Sequence, residues 1–175
     1  TTKFRLKRAL QTEVLSYEGG YYRTHPDFKP WFDVHMFEEL VDSTTSESRL
    51  EHLQAAIDLY TGDFLEDCYD DWCIRYRQTL REKCLIAIEE LTDRLLARRR
   101  YRRAIRLLYR GLEIDQLRES VHRKLMRAYT LVGERSQALN QYRRWEKLLQ
   151  TELNASPSKR TFTLYQQILK GLPLD

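Results

Sequence analysis

Residues that interrupt regular structure are scarce in this sequence. Its 175 residues include only six glycines and four prolines. A disordered chain, or a β-rich one punctuated by tight turns, would carry more of both, so helices are expected to dominate. No stretch approaches the roughly 18 consecutive apolar residues that a membrane-crossing helix needs. The chain is therefore expected to act in the cytoplasm and to have no membrane partner. Cysteines are few and odd in number: Cys68, Cys73 and Cys84. No short Cys-x-x-Cys pair accompanies them, which argues against a zinc site. Cys73 and Cys84 share one helical face, and all three read as reduced core thiols. There is no glycine-rich phosphate loop, no Ser-x-Gly elbow and no His-Glu-x-x-His. The four histidines, His25, His35, His52 and His122, are scattered. His122 reads as a core or rim histidine with a local hydrogen bond. No catalytic residue, cofactor or metal ligand is expected, and the chain does not read as an enzyme.

Charge is unevenly placed along the chain. Residues 25–70 hold twelve acidic and two basic residues, whereas residues 71–110 hold twelve basic and five acidic. Such asymmetry points either to faces that pair internally or to separate partners. Apolar residues recur at helical spacing through most of the chain. From Asp71 to Ala97, Cys73, Tyr76, Leu80, Cys84, Ile88, Leu91 and Leu95 predict one long helix. Tyr101 to Leu112 predicts its antiparallel partner. Further helices are predicted over Val34–Ser43, Arg49–Tyr60, Ser120–Gly133, Ser136–Leu153 and Ser156–Leu172. Asp33, Ser46 or Ser48, and Ser156 with Pro157 are candidate helix starts. Gly133 is a candidate stop. Phe64 and Leu65 are expected to tuck under the helix before them.

A repeat runs through the second half. Ala104-Ile105 returns 34 positions later as Ala138-Leu139, and Leu91, Leu95 and Leu108 match Leu125, Tyr129 and Tyr142 at the same offset. That period resembles tetratricopeptide helix pairs, in which a small residue lets neighbouring helices approach and stacked pairs share a core. The fold class expected is all-α, a TPR-like right-handed array of antiparallel helix pairs.

The first 24 residues differ. KFRLKRAL reads as the end of a basic helix. Val14 to Tyr17 and Tyr21 to Thr24 favour strands, and Gly19-Gly20 supplies the positive φ of a tight turn. A basic helix leading into a hairpin resembles the tail of a winged helix of the response-regulator type, with the hairpin as wing. The earlier helices of that fold are missing, so the chain is expected to start inside such a domain. The domains expected are residues 1–24, the C-terminal end of a winged-helix DNA-binding domain, and residues 25–175, the helical array.

Three motifs then carry a wider resemblance: LRESVHRKLMRAY (Leu117 to Tyr129), GERSQALNQYRRW (Gly133 to Trp145), and EL-x3-PS-x2-T-x2-LY-x2-I (Glu152 to Ile168). In this order they resemble the bacterial transcriptional activator domain of SARP-type regulators, over roughly residues 32 to 170. The turn at 98–103, RRRYRR, departs from the resemblance, which implies a glycine-containing xxGxYxxA there.

What the resemblance implies is a transcription regulator. It would bind promoter DNA through the winged helix, and its helical domain would touch RNA polymerase or another protein, or self-associate as a homodimer. Lys3, Arg5, Lys7, Arg8 and Arg23 are the candidate DNA contacts. Arg98, Arg99, Arg100, Arg102, Arg103 and Arg106 are the candidate partner surface, flanked by Arg94 and Arg110, and are expected to stand apart from the acidic stretch. The alternative is a free-standing TPR-like adaptor with no DNA role that binds peptides in its concave groove.

Overall fold

The computed structural model describes residues 2–26, 28, 31–43 and 48–173, with side chains from Phe4 onward. Among these residues the chain forms α1 (Thr2–Leu10), β1 (Leu15–Glu18), β2 (Tyr21–Thr24), α2 (Asp33–Asp42), α3 (Arg49–Leu59), α4 (Asp71–Ala97), α5 (Tyr101–Ile114), α6 (Glu119–Val132), α7 (Arg135–Leu153) and α8 (Lys159–Lys170). They fall into two compact units, one ending at Asp33 and the other beginning at Val34.

In the first unit, β1 and β2 pair antiparallel, with Leu15 opposite Thr24 and Glu18 opposite Tyr21. Gly19 and Gly20 have φ of 58° and 88°. Positive φ at both central residues makes a type I′ turn, whose twist matches that of the strands it joins. At the open end, the His25 N–H donates to the Val14 carbonyl at 3.0 Å. Tyr17 and Tyr22 face each other across the ladder with ring centroids 4.9 Å apart.

The second unit is an all-helical, TPR-like array. From α3 to α8 each helix packs on the next, and α6 also meets α8. The long helix α4 is the spine. Cys73, Leu80, Cys84, Ala87, Ile88, Leu91 and Leu95 are all buried on it. Phe37 from α2 and Leu53, Ala56 and Ile57 from α3 complete the same core. Ala104 and Ala138 are fully buried, where a small side chain lets helices approach. Their partners in the repeat, Leu91, Leu125, Leu108 and Tyr142, are buried as well.

The 34-residue offset extends to the backbone. After α4, Arg99 N–H donates to Leu96 O and Arg100 N–H to Leu95 O. After α6, Gly133 N–H donates to Thr130 O and Glu134 N–H to Tyr129 O. Both are Schellman closures turning on a left-handed residue. That residue is Gly133 at φ 87° in one case and Arg99 at φ 56° in the other. Arg99 thus occupies the left-handed site where the resemblance implies glycine.

Several helix starts differ from expectation. Helix α8 begins at Lys159, and its cap is Ser158 rather than Ser156: Ser158 Oγ accepts from Thr161 N–H. Glu119 fixes that choice, because it accepts the Ser158 N–H at 2.8 Å and holds the residue extended. Asp33 is the first residue of α2, not its cap. Ser48 precedes α3 but makes no side-chain cap bond; Ser46 lies outside the described residues. Arg49 ties α3 to the end of α2 instead, donating to Val41 O and Ser43 O at 2.7 and 2.6 Å. Phe64 packs edge-on against Tyr76, but Leu65 is exposed, because the chain turns there through φ 43°. Arg77 gathers that loop, donating to the carbonyls of Phe64, Leu65 and Cys68. Cys73 and Cys84 are core thiols, whereas Cys68 is partly exposed in the loop.

Candidate functional site

Arg5, Lys7, Arg8 and Arg23 are exposed in the first unit; the Lys3 side chain lies outside those described. Lys7 meets Glu13 at 3.5 Å, with both side chains open to water. Such a contact is worth little and leaves the ammonium available to another anion. Arg5 and Arg8 are one helical turn apart on α1, and Arg23 stands on β2 beside the exposed rings of Tyr21 and Tyr22.

The arginines of the second unit do not form one free patch. Arg102 pairs with Glu134 at 3.0 Å. Arg103 donates to Gln54 at 2.8 Å. Arg110 pairs with Asp58 at 3.3 Å and donates to the carbonyls of Ile57 and Tyr60. The expected separation from the acidic stretch is therefore corrected at Arg103 and Arg110. Helix α5 returns along α4 on the side where α3 lies, so Arg103 and Arg110 land beside α3. Arg98, Arg99, Arg100 and Arg106 are exposed and have no ion pair among the described residues.

A third arrangement had no announcement in the sequence. Helices α4, α6 and α8 line a groove of about 940 Å³. Arg123 and Arg127 reach it from α6 and Arg160 from the first turn of α8. Burial and the neighbouring charge of Arg160 lower the Arg123 pKa. The hydrogen bond of Arg123 is a long one, 3.4 Å to Thr161 Oγ1. Spacing would pair Arg123 with Glu119, four residues earlier. Glu119 is bonded to Ser158 instead. Burial raises the Glu119 pKa, but hydrogen bonds from Thr161 and Ser158 outweigh that and hold it below the usual carboxylate value. The other acids of the groove are also engaged. Glu89 accepts from Arg118 and Ser120 at 3.0 and 2.7 Å, and Asp93 accepts from Lys124. Arg118 forks further onto Glu82 at 2.7 and 2.8 Å, clamping α6 to α4.

His122 lies beneath, buried and stacked on Trp145 at 4.4 Å. Gln141 Nε2 lies 2.7 Å from Nδ1, so the ring proton is assigned to Nε2, which donates to Gln116 O at 2.8 Å. No trio of His, Cys, Asp or Glu among the described residues is placed to hold a metal ion. No helix among them is long and apolar enough to cross a membrane.

Comparison with known proteins adds the family. The transcriptional regulatory protein MoaR1 of Mycobacterium tuberculosis is 28% identical over 127 residues, which are 72% of this chain and 41% of that protein. MoaR1 of Mycobacterium bovis is 27% identical over the same length. The chain thus spans about two-fifths of the length of these curated relatives. A solved structure of Mycobacterium tuberculosis EmbR in complex with a low affinity phosphopeptide shares the fold. Its TM-score is 0.65 at 24% identity, covering 98% of this chain and 48% of that one. The bacterial transcriptional activator domain matches residues 32–169. The chain belongs to that family of transcription-regulator domains.

Proposed function

We propose that this chain couples promoter recognition to activation. Residues 1–24 are the C-terminal end of a winged-helix DNA-binding domain, and residues 25–175 are the activator domain. The observation that carries this reading is the basic helix α1 running within a few residues into a type I′ hairpin, directly ahead of the matched family region. A free-standing peptide adaptor has no use for such a hairpin. Arg5, Lys7 and Arg8, together with Lys3, contact DNA from α1, and Arg23 reaches the backbone from the wing. Contacts to phosphate give affinity and register without sequence choice. The helical array makes the protein contacts, to RNA polymerase or to a second copy. Arg98, Arg99, Arg100 and Arg106, exposed and without ion pairs among the described residues, form the surface for those contacts, with Arg102 and Arg103 at its margin.

The test is fluorescence anisotropy of this chain with labelled duplex DNA. Weak binding without sequence preference is expected, falling steeply between about 50 and 200 mM salt. Replacing Arg5, Lys7 and Arg8 by Gln should flatten the salt dependence and weaken binding. Unchanged binding by that variant would refute the assignment of α1.

A further inference from the structure

We propose that the groove between α4, α6 and α8 docks an acidic, leucine-bearing segment of a partner protein. The proposal rests on reading the helical array as a protein-contact domain; it needs no DNA contact from residues 1–24. Three guanidinium groups, those of Arg123, Arg127 and Arg160, converge on one groove. Like charges gathered this way repel; the Arg123 pKa is lowered by burial first and then by the charge of Arg160. Neutralisation from within is incomplete: Glu89 and Glu119 act favourably on Arg123 without offsetting burial and Arg160, and Glu89 and Asp93 are shared with Arg118, Ser120 and Lys124. An anion from outside completes the site. Guanidinium forks match carboxylates in shape as well as charge, and the N-terminal end of α8 adds favourable dipole beside Arg160.

The walls say what kind of anion. Leu96, Leu131 and Leu164 line the same groove, and Leu131 is 41% exposed. Cations beside one open leucine and two half-buried ones suit a chain that carries both carboxylates and apolar side chains. The volume lies near the upper end of the roughly 300–1,000 Å³ typical of ligand sites, enough for a short extended peptide.

The probe is a fluorescein-labelled peptide of alternating Glu and Leu, titrated with the intact chain. The parent should bind it, more weakly as salt rises. R127Q/R160Q should weaken binding by about tenfold or more. Both residues are exposed, and an unchanged melting curve verifies the fold. A Gln-Leu peptide should not bind. Equal binding by R127Q/R160Q, equal binding of the Gln-Leu peptide, or no binding by the parent would each overturn the proposal. So would displacement of the peptide by duplex DNA whose own affinity falls in R127Q/R160Q, which would mark a nucleic-acid surface. The R5Q/K7Q/R8Q variant should bind the peptide as the parent does, so failure of the DNA reading and failure of this one remain separable.

Discussion

Two residues carry most of what single side chains can test. Arg99 holds a left-handed backbone that its own repeat partner assigns to Gly133. A side chain at positive φ costs about 1–2 kcal/mol, and glycine returns part of the gain as unfolded-state entropy. Arg99→Gly should therefore stabilise the chain by about 0.5–1 kcal/mol, read as a higher denaturant midpoint with unchanged slope. A lower midpoint would show that the Arg99 side chain makes a contact worth more than the strain. The sequence shows that a glycine is missing from the turn, yet it cannot show that the backbone keeps the glycine conformation regardless. His122 is the second case. Burial lowers its pKa below the ordinary 6.5. Between the folded and unfolded values the unfolded chain binds more protons, so this contribution is complete above 6.5 and declines as pH falls below it. Melting temperature should drop from about pH 7.5 to 5.5, and His122→Gln should flatten that slope. An equal slope in the variant would place the pH dependence elsewhere. A buried histidine is legible from its place in a helical motif; its partners Gln141 and Trp145 come from α7, and no local spacing announces them.

At the scale of elements, periodicity was a good guide to length and a poor one to ends. The length of α4 follows from its apolar stripe, which runs from Cys73 to Leu95. Helix starts depend on which polar atom reaches which N–H, and that is decided across the fold. Glu119 on α6 selects Ser158 as the cap of α8, although Ser156 and Pro157 make the better local signal. The same dependence explains the arginines. Eight of them crowd into residues 94–110, yet their fates differ with the neighbour each meets: Glu134 for Arg102, α3 for Arg103 and Arg110, water for Arg98 to Arg100. The repeat itself is tested at its crossings. Ala138 is fully buried, in a cluster with Met126, Tyr142 and Ile168. Ala138→Leu should overpack it and cost about 1–3 kcal/mol in thermal or denaturant unfolding. An unaltered melt would mean that α6 and α7 separate more easily than their packing implies.

For the whole molecule, the architecture could be read from the sequence because a stacked array is built from neighbours. Each helix needs only the pattern that suits the next one, and such patterns survive in one dimension. The groove could not be read this way. Arg123 and Arg160 are 37 residues apart and meet only because α8 returns beside α6. The basic helix and hairpin lie between these extremes: their order is visible in the sequence, and the register of the strands comes from the structure. The array has one further property. Its substantial packing runs between successive helices, with α6 to α8 as the longer step. Tension applied along the second unit would therefore load these seams one after another, as on a zipper, rather than all at once. Seams opened in series part at low force. The Arg118 fork on Glu82 and Glu89, which bolts α6 to α4 across the intervening α5, would act as the catch in that zipper, retaining the middle of the domain after its edges had peeled away.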